Sequence, residues 1–374
     1  MKVRSKIKKM LTKVFSFGKP KKQILFESFG GAQYSADPRA ISEKMHELYP
    51  EIQIVWYIDA KAKKDNNSLL PNYVKVVDNK LSYIYALAKS MAYVTTQPLT
   101  ESFYKRRGQF VVQTWHGDRG LKKVLYEATQ TGKVRAPILD NVYTDICVAA
   151  SDIGESVYRT AFRYDGEIVK VGMPRNDKLV SMPIDLSVYR KRLGIPEGVK
   201  VLLYAPTFRG STISEQKAMI NLTRCLDILE EKGEKWIGLV RAHEYSKKIV
   251  HDTDERIYEV SLYPDMADIL LITDILITDY SSCACDFVLT HKPVILAVND
   301  VEQYQKESRH LKVNLEDTGF VLSYSEENLE KLLMNLDIDM FVKASDRVID
   351  FFGIDESGNA SEIICKRIYN ACLG

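Results

Sequence analysis

ILITDYSSCACDF, residues 275–287, reads as one beat of an alternating fold. Ile275, Leu276, Ile277 and Thr278 close an apolar run, the pattern of a strand covered on both faces. Asp279-Tyr280-Ser281-Ser282 is a polar turn, and a helix is predicted at SSCACDFVLTH, 281–291. Ser281 or Ser282 can cap that helix. Its free N–H groups and positive dipole end then point out of the sheet, toward a place where a phosphate would be held.

The same cadence runs outward in both directions. Strands are predicted at QILFES (23–28), IQIVWYID (52–59), VKVV (74–77), YVTTQ (93–97) and QFVVQTW (109–115), with helices at 41–49 and 82–92. Asp37 is placed to cap the first of these helices and Pro38 to occupy its first turn. The pattern restarts with DICVAAS (145–151), a helix at 155–163 and EIVKVGMPRNDKL (167–179). It continues through VKVLLYAPTFRGS (199–211), a helix at 221–233, WIGLVRAH (236–243), IYEV (257–260), a helix near 266–273 and PVILAV (293–298), and ends in a helix within 348–373. Strands alternating with helices predict an α/β class with parallel sheets. At 374 residues the chain is long for one core, so two α/β halves are expected, meeting near Gly172–Asn176. In such sheets ligands bind outside the carboxyl ends of the strands, and a cleft between the halves is the expected site.

Composition is globular, with 45% apolar and 27% charged residues. The net charge of +2 conceals an asymmetry. MKVRSKIKKMLTKVFSFGKPKK, residues 1–22, holds nine Lys/Arg and no acid, which leaves the remainder acidic. Val3, Ile7, Met10, Leu11, Val14 and Phe15 recur at helical spacing among Lys6, Lys8, Lys9 and Lys13. That is the pattern of a basic amphipathic helix on an anionic membrane surface. No run reaches the length of a membrane span, and lysines interrupt any signal-peptide core. The six cysteines form no paired framework, which suits a reducing cytosol. Cys283 and Cys285 have no second ligand pair, so no zinc site is expected. There is no P-loop, no G-x-G-x-x-G and no D-x-D run, and neither cofactor nor metal is expected.

Two histidines stand out. His116 follows directly on QFVVQTW, at a strand's carboxyl end, with Gly117 to free the backbone and Arg119, Lys122 and Lys123 to suit an anionic substrate. His243 holds the matching place after WIGLVRA, two residues beyond Arg241. Converging from two halves, they would face each other across a cleft. His46, His251, His291 and His310 fall in helices or polar segments and are weaker candidates. Arg209, in YAPTFRGS, could hold a phosphate bidentately. SFGGAQYS (28–35) is a glycine-rich turn after the first strand.

Taken together and in this order, SFGGAQYSADPRA, QTWHGDRGLKK, VGMPRNDKL, LLYAPTFRGS, VRAH, ILITDYSSCACDF and FGIDESGNAS resemble the CDP-glycerol glycerophosphotransferase family, the teichoic acid primases and polymerases, from about Phe26 onward. The resemblance implies two Rossmann-like domains facing across a cleft, the GT-B arrangement. It implies transfer of a polyol phosphate from CDP-glycerol or CDP-ribitol to a lipid-linked or polymeric acceptor, with release of CMP and without nucleic acid. His116 matches the family's W-H-G histidine, implied to be base on the acceptor hydroxyl, and His243 its second catalytic histidine, implied to contact donor phosphates. Arg209, Thr278, Asp279, Ser281, Ser282, Asp286 and Ser361 match the implied donor set. Gly30, Gly31, Arg39, Asp118, Arg119 and Lys122 are expected on the acceptor side. After His116-Gly117 the chain departs from the family's usual T-P-L-K, a difference that bears on the acceptor.

The expected layout is a membrane-surface segment at 1–22, an acceptor domain at 23–174, a donor domain at 175–352 and a helix at 353–374 packing back on the first domain. The expected location is peripheral, on the cytoplasmic face of the cell membrane. A nucleotide-sugar GT-B glycosyltransferase, a nucleotide-sugar epimerase of similar form and a non-catalytic polymer-binding protein remain as rival readings.

Overall fold

The computed structural model of the chain describes residues 2–117, 120–129, 134, 136–181, 184–207, 215–242, 248–250, 253–307 and 310–374. Within them the chain forms two units, one from 2–117, 124–177 and 355–374, the other from 120–123 and 178–354. The chain passes between the units at 177 and 355. The expected layout placed no piece of 120–123 with the second half. Leu121 and Lys123 nevertheless exchange backbone bonds there: Lys123 N–H donates to His310 O at 3.0 Å and Lys312 N–H to Leu121 O at 2.8 Å.

The first unit is built on a seven-stranded parallel sheet. In chain order its strands are β1 (Lys21–Glu27), β2 (Gln53–Tyr57), β3 (Lys75–Val77), β4 (Ser90–Thr95), β5 (Phe110–Gln113), β6 (Ile146–Ala149) and β7 (Glu167–Lys170), arranged 3-2-1-4-5-6-7. All six residues of β4 are buried, as a central parallel strand requires when helices cover both faces. The second unit adds β8 (Lys200–Tyr204), β9 (Glu215–Lys217), β10 (Trp236–Val240), β11 (Lys248–Val250), β12 (Ile257–Glu259), β13 (Ile275–Thr278), β14 (Val294–Ala297) and β15 (Val321–Ser323). Its main sheet runs 12-10-8-13-14-15, and β9 pairs with β11 apart from it. Both main sheets therefore reverse direction beside their first strand, between β1 and β4 in one unit and between β8 and β13 in the other. That is the switch point where doubly wound sheets open a crevice at the strands' carboxyl ends.

The basic start is a helix, Lys2–Phe15. One side packs on the first unit, where Leu11 and Phe15 join the apolar cluster around Tyr83, Leu87 and Tyr93. Lys8 Nζ lies 4.8 Å over the Tyr83 ring, and burial lowers its pKa. Lys89 Nζ and Arg106 Nη2 donate to Phe17 O and Gly18 O, each at 2.7 Å, and fix the exit of the helix. The other side leaves Ile7, Met10, Val14 and Phe17 exposed. No helix among the described residues is long and apolar enough to cross a membrane.

Two capping expectations change. The helix after the glycine turn is Ala36–Leu48 with Ser35 at its N-cap, so Asp37 lies inside its first turn and does not cap it. Its carboxylate instead accepts Arg175 Nη1 at 2.7 Å. The helix after the 279–282 turn spans only Cys283–Phe287; Ser282 at its N-cap makes no side-chain capping bond, and of the two expected serines it is Ser281 whose Oγ accepts the Cys283 N–H, at 3.5 Å. So short a helix sums few peptide dipoles. Any anion affinity of this turn therefore has to come from its hydroxyls and local N–H groups.

Candidate functional site

His116 is aimed by its neighbours. Past Gln113 the chain leaves β5, and Trp115 adopts a left-handed φ of 54°, which a bulky residue holds only when the surroundings enforce it. Trp115 N–H donates to Gln113 Oε1 at 2.9 Å, and the indole is buried edge-on against Phe162 with ring centres 5.0 Å apart. The conformational burden thus falls on Trp115. Gly117, expected to free the backbone, instead provides room, since a Cβ there would stand 3.3 Å from the indole nitrogen.

The His116 ring lies 3.9 Å from the Trp115 ring and 5.1 Å from Phe29. Its Nδ1 is 3.2 Å from Thr96 O. A carbonyl only accepts, so this bond places the proton on Nδ1 and leaves the lone pair on Nε2. Thr96 Oγ1 in turn accepts Phe29 N–H at 2.9 Å, so the imidazole, β4's end and the turn after β1 form one assembly at the switch point.

Within that turn Gly31 is required. A Cβ would fall 2.5 Å from the Tyr57 ring, and its φ is 88°. Gly30 sits at φ 69° with open space where a side chain would project. Arg39, expected on the acceptor side, is turned inward. It is buried, its Nε donates to Glu43 Oε1 at 2.9 Å, and the guanidinium packs over the Tyr34 ring.

The MPRND stretch is a joint of the first unit. Arg175 pairs with buried Asp37, Asn176 Nδ2 donates to Glu356 Oε1 at 2.8 Å, and Glu356 Oε2 accepts Met173 N–H at 2.8 Å. Asp177 accepts the N–H groups of Ala360 and Ser361, at 2.9 and 2.8 Å, and so caps the helix Ala360–Leu373 from a distant part of the chain. Burial raises the Asp177 pKa. Ser361 is buried here, its hydroxyl donating to Pro174 O at 3.3 Å. Its backbone N–H and hydroxyl are both engaged in this joint. Glu356 and Asp177 were missed by the sequence reading. The hints were their places in VGMPRNDKL and FGIDESGNAS, two of the stretches that carry the resemblance.

In the second unit the switch point is made by Ala205–Thr207 after β8 and Thr278–Ser282 after β13. Thr278 Oγ1 donates to Ala205 O at 2.6 Å. Both Asp279 oxygens accept Thr207 N–H at 2.9 Å, and Oδ1 also takes Tyr280 N–H at 2.5 Å. A carboxylate repels phosphate, so Asp279 suits shaping this turn more than touching an anion. Ser281 and Ser282 are half-buried at its tip, and Asp286 is buried beneath. Cys283 is buried, which pushes its thiol up to about 11.

Arg209 and His243 lie outside the described residues, as do Asp118, Arg119 and His251. The approaches to two of them are firm. Thr207 is bound as above, and Arg241 is held by Tyr263 O at 2.5 Å, while Ala242 N–H donates to Ser261 Oγ at 2.6 Å. Lys122 lies in the strip that bridges antiparallel to Leu311, within the second unit and not the first. His116, Gly30 and Gly31 thus cluster at one switch point, and Thr278, Asp279, Ser281, Ser282 and Asp286 at the other.

Known proteins carry the same organisation. A teichoic acid poly(glycerol phosphate) polymerase of Staphylococcus epidermidis is 32% identical over 369 residues, 93% of this chain and 50% of that protein. A teichoic acid glycerol-phosphate transferase of Staphylococcus aureus is 28% identical, with 93% of each chain covered. The chain spans about half the length of the polymerases it matches from S. epidermidis and Bacillus subtilis. A solved structure of the wall teichoic acid polymerase TagF, soaked with CDPG, superposes with a TM-score of 0.79 at 26% identity, covering 97% of this chain and 93% of that one. Two parallel sheets of this order make the fold GT-B in type. The family described as CDP-Glycerol:Poly(glycerophosphate) glycerophosphotransferase matches residues 9–370, nearly the whole of both units, and the chain belongs to that family.

Proposed function

We propose that the protein transfers a polyol phosphate, glycerol phosphate in the first instance, from a CDP-activated donor to a hydroxyl of a lipid-linked or polymeric acceptor in teichoic acid-type synthesis. The observation that carries this reading is the His116 imidazole, with Nδ1 committed to Thr96 O and Nε2 left as a base at a strand-end switch point. Family membership supports the donor class.

In the proposed step the acceptor hydroxyl attacks the phosphorus that bears the polyol. Its proton passes to His116 Nε2, the bond to the bridging oxygen breaks, and CMP leaves with the electron pair. Arg209 and His243 are proposed to stabilise the charge that builds on the phosphates, with Ser281 and Ser282 as neutral donors beside them. Thr278 and Asp279 hold that turn in shape. Asp286 is proposed as support beneath it, and Gly30, with its open side, as a wall of the acceptor site.

The helix Lys2–Phe15 is proposed to rest on the anionic cytoplasmic leaflet through Ile7, Met10, Val14 and Phe17, with Lys6 and Lys13 exposed beside them. This makes the protein a peripheral enzyme at the surface where a lipid-linked acceptor is found. The test is a panel of CDP-glycerol, CDP-ribitol and UDP-sugars incubated with the purified protein and an acceptor. CMP released from CDP-glycerol supports the reading. CMP from CDP-ribitol alone shifts the polyol, and UDP release alone replaces the reading with a glycosyltransferase.

A further inference from the structure

Asp140 is fully buried, and no motif singled it out. It opens the short helix Asp140–Tyr143. Its Oδ2 accepts Leu99 N–H at 2.9 Å, and its Oδ1 accepts Gln113 Nε2 at 2.8 Å and Thr144 Oγ1 at 3.2 Å. Leu99 closes the segment that begins at Thr96, whose carbonyl meets the imidazole. Gln113 closes β5 and holds Trp115 N–H. One carboxylate therefore grips both strand ends from which His116 is suspended.

The Gln113 amide makes the grip directional. Its NH2 is taken by two acceptors, Asp140 Oδ1 and Gln97 O, both at 2.8 Å. Only its oxygen remains for Trp115 N–H, and that bond holds Trp115 left-handed. An apolar residue at 140 would leave the amide free to turn over and present hydrogen to hydrogen at Trp115.

We infer that Asp140 is a positioning residue for the transfer reaction, fixing through Gln113 and Leu99 the two backbone supports that set the direction and tautomer of the His116 imidazole. The inference rests on the reading of His116 as the base. Burial pushes the Asp140 carboxyl up to about 6, so keeping an acceptor here is costly to the fold, as expected of a group retained for geometry.

Asp140→Asn tests it, because the shape is kept and one acceptor becomes a donor. The new NH2 must face either Leu99 N–H or the Gln113 amide. The first releases the Thr96 segment, and the second turns the Gln113 amide over. Turnover is expected to fall about 10- to 100-fold with KM for the donor unchanged. Nitrogen-15 spectra of the imidazoles, assigned with a His116→Gln sample and taken above their titration range, are expected to show His116 going from one Nδ1–H tautomer to a mixture.

Gln113→Met breaks the same relay without touching Asp140. It is expected to give both signatures, and it decides the matter should Asp140→Asn fail to fold. A folded Asp140→Asn protein with wild-type turnover and an unchanged His116 tautomer overturns the inference. A tautomer that responds in a protein releasing no CMP from any donor overturns the proposed function and leaves the positioning role standing.

Discussion

Asp279 and Thr207 are joined by a three-centre bond, one N–H shared between two carboxylate oxygens at 2.9 Å, which ties the stretch before Arg209 to the Thr278–Ser282 turn. Asp279→Ala removes both acceptors and leaves Thr207 N–H buried and unsatisfied, a loss of about 1–3 kcal/mol. Loosening the approach to Arg209 is expected to raise KM for the CDP donor by about ten-fold, the equivalent of 1.4 kcal/mol. Initial rates across donor concentrations measure it, and an unchanged KM refutes the tie.

His116→Ala is expected to cut turnover by about 100-fold or more, the usual scale of a positioned proton acceptor. Donor binding, followed by calorimetry, is expected to persist. His243→Ala is expected to cost a similar factor while weakening donor binding as well. Near-normal turnover in the His116 variant removes the proposed base.

Arg175 and Asp37 pair at 2.7 Å with both side chains almost wholly buried. Arg175→Met strands a buried carboxylate and is expected to cost about 3–5 kcal/mol in urea unfolding. Adding Asp37→Leu is expected to return part of that loss, since it removes the uncompensated charge but also the acceptor of the residue-175 N–H. A double variant as unstable as the single one contradicts the pairing.

Deleting the first helix is a poor test of membrane binding, because Leu11 and Phe15 belong to the core of the first unit. Replacing Ile7, Met10, Val14 and Phe17 with serine spares that contact. Sedimentation with anionic vesicles is expected to fall sharply, the remainder, held by the lysines alone, vanishing as salt is raised, while activity on a soluble acceptor stays at the wild-type level. Equal loss on soluble and vesicle-borne acceptor excludes a membrane role for this face.

The Asp140 carboxyl gives a signed pH effect. Its pKa rises from 3.8 to about 6 on folding, through desolvation. A raised acid stabilises the fold fully below the unfolded value, and that contribution is lost as pH rises through the folded one. The stability difference between wild type and Asp140→Asn is therefore expected to shift against the wild type across about pH 4 to 6 and to stay level above it. A flat difference over that window shows that Asp140 is ionised throughout.

What was legible in the sequence followed from periodicity and burial. Parallel strands covered on both faces read as apolar runs, so β4, β5, β10 and β13 announce themselves, and with β5 and β13 the positions of His116 and the Thr278–Ser282 turn. What escaped was pairing at a distance. Asp37 and Arg175 lie 138 residues apart and Met173 and Glu356 lie 183 apart, and no local spacing encodes either contact. Arg39 looked like an anion ligand because a sequence does not say which way an arginine turns, and Glu43 one helical turn later was the overlooked partner. Gly117 drew attention as the flexible residue, yet the left-handed backbone belongs to Trp115, where only the Gln113 bond explains it.

The helix Ala360–Leu373 has its cap in Asp177 and lies along Ala36–Leu48, with Tyr369 stacked on Tyr49. During synthesis, then, the opening sheet emerges from the ribosome long before the segment that seals its flank. The intervening unit, continuous from 178 to 354 but for one short strip, has all its strands in hand first. Until translation has passed that helix, the face of Ala36–Leu48 on which it lies stays without its partner, and a nascent chain paused there would offer that face to chaperones.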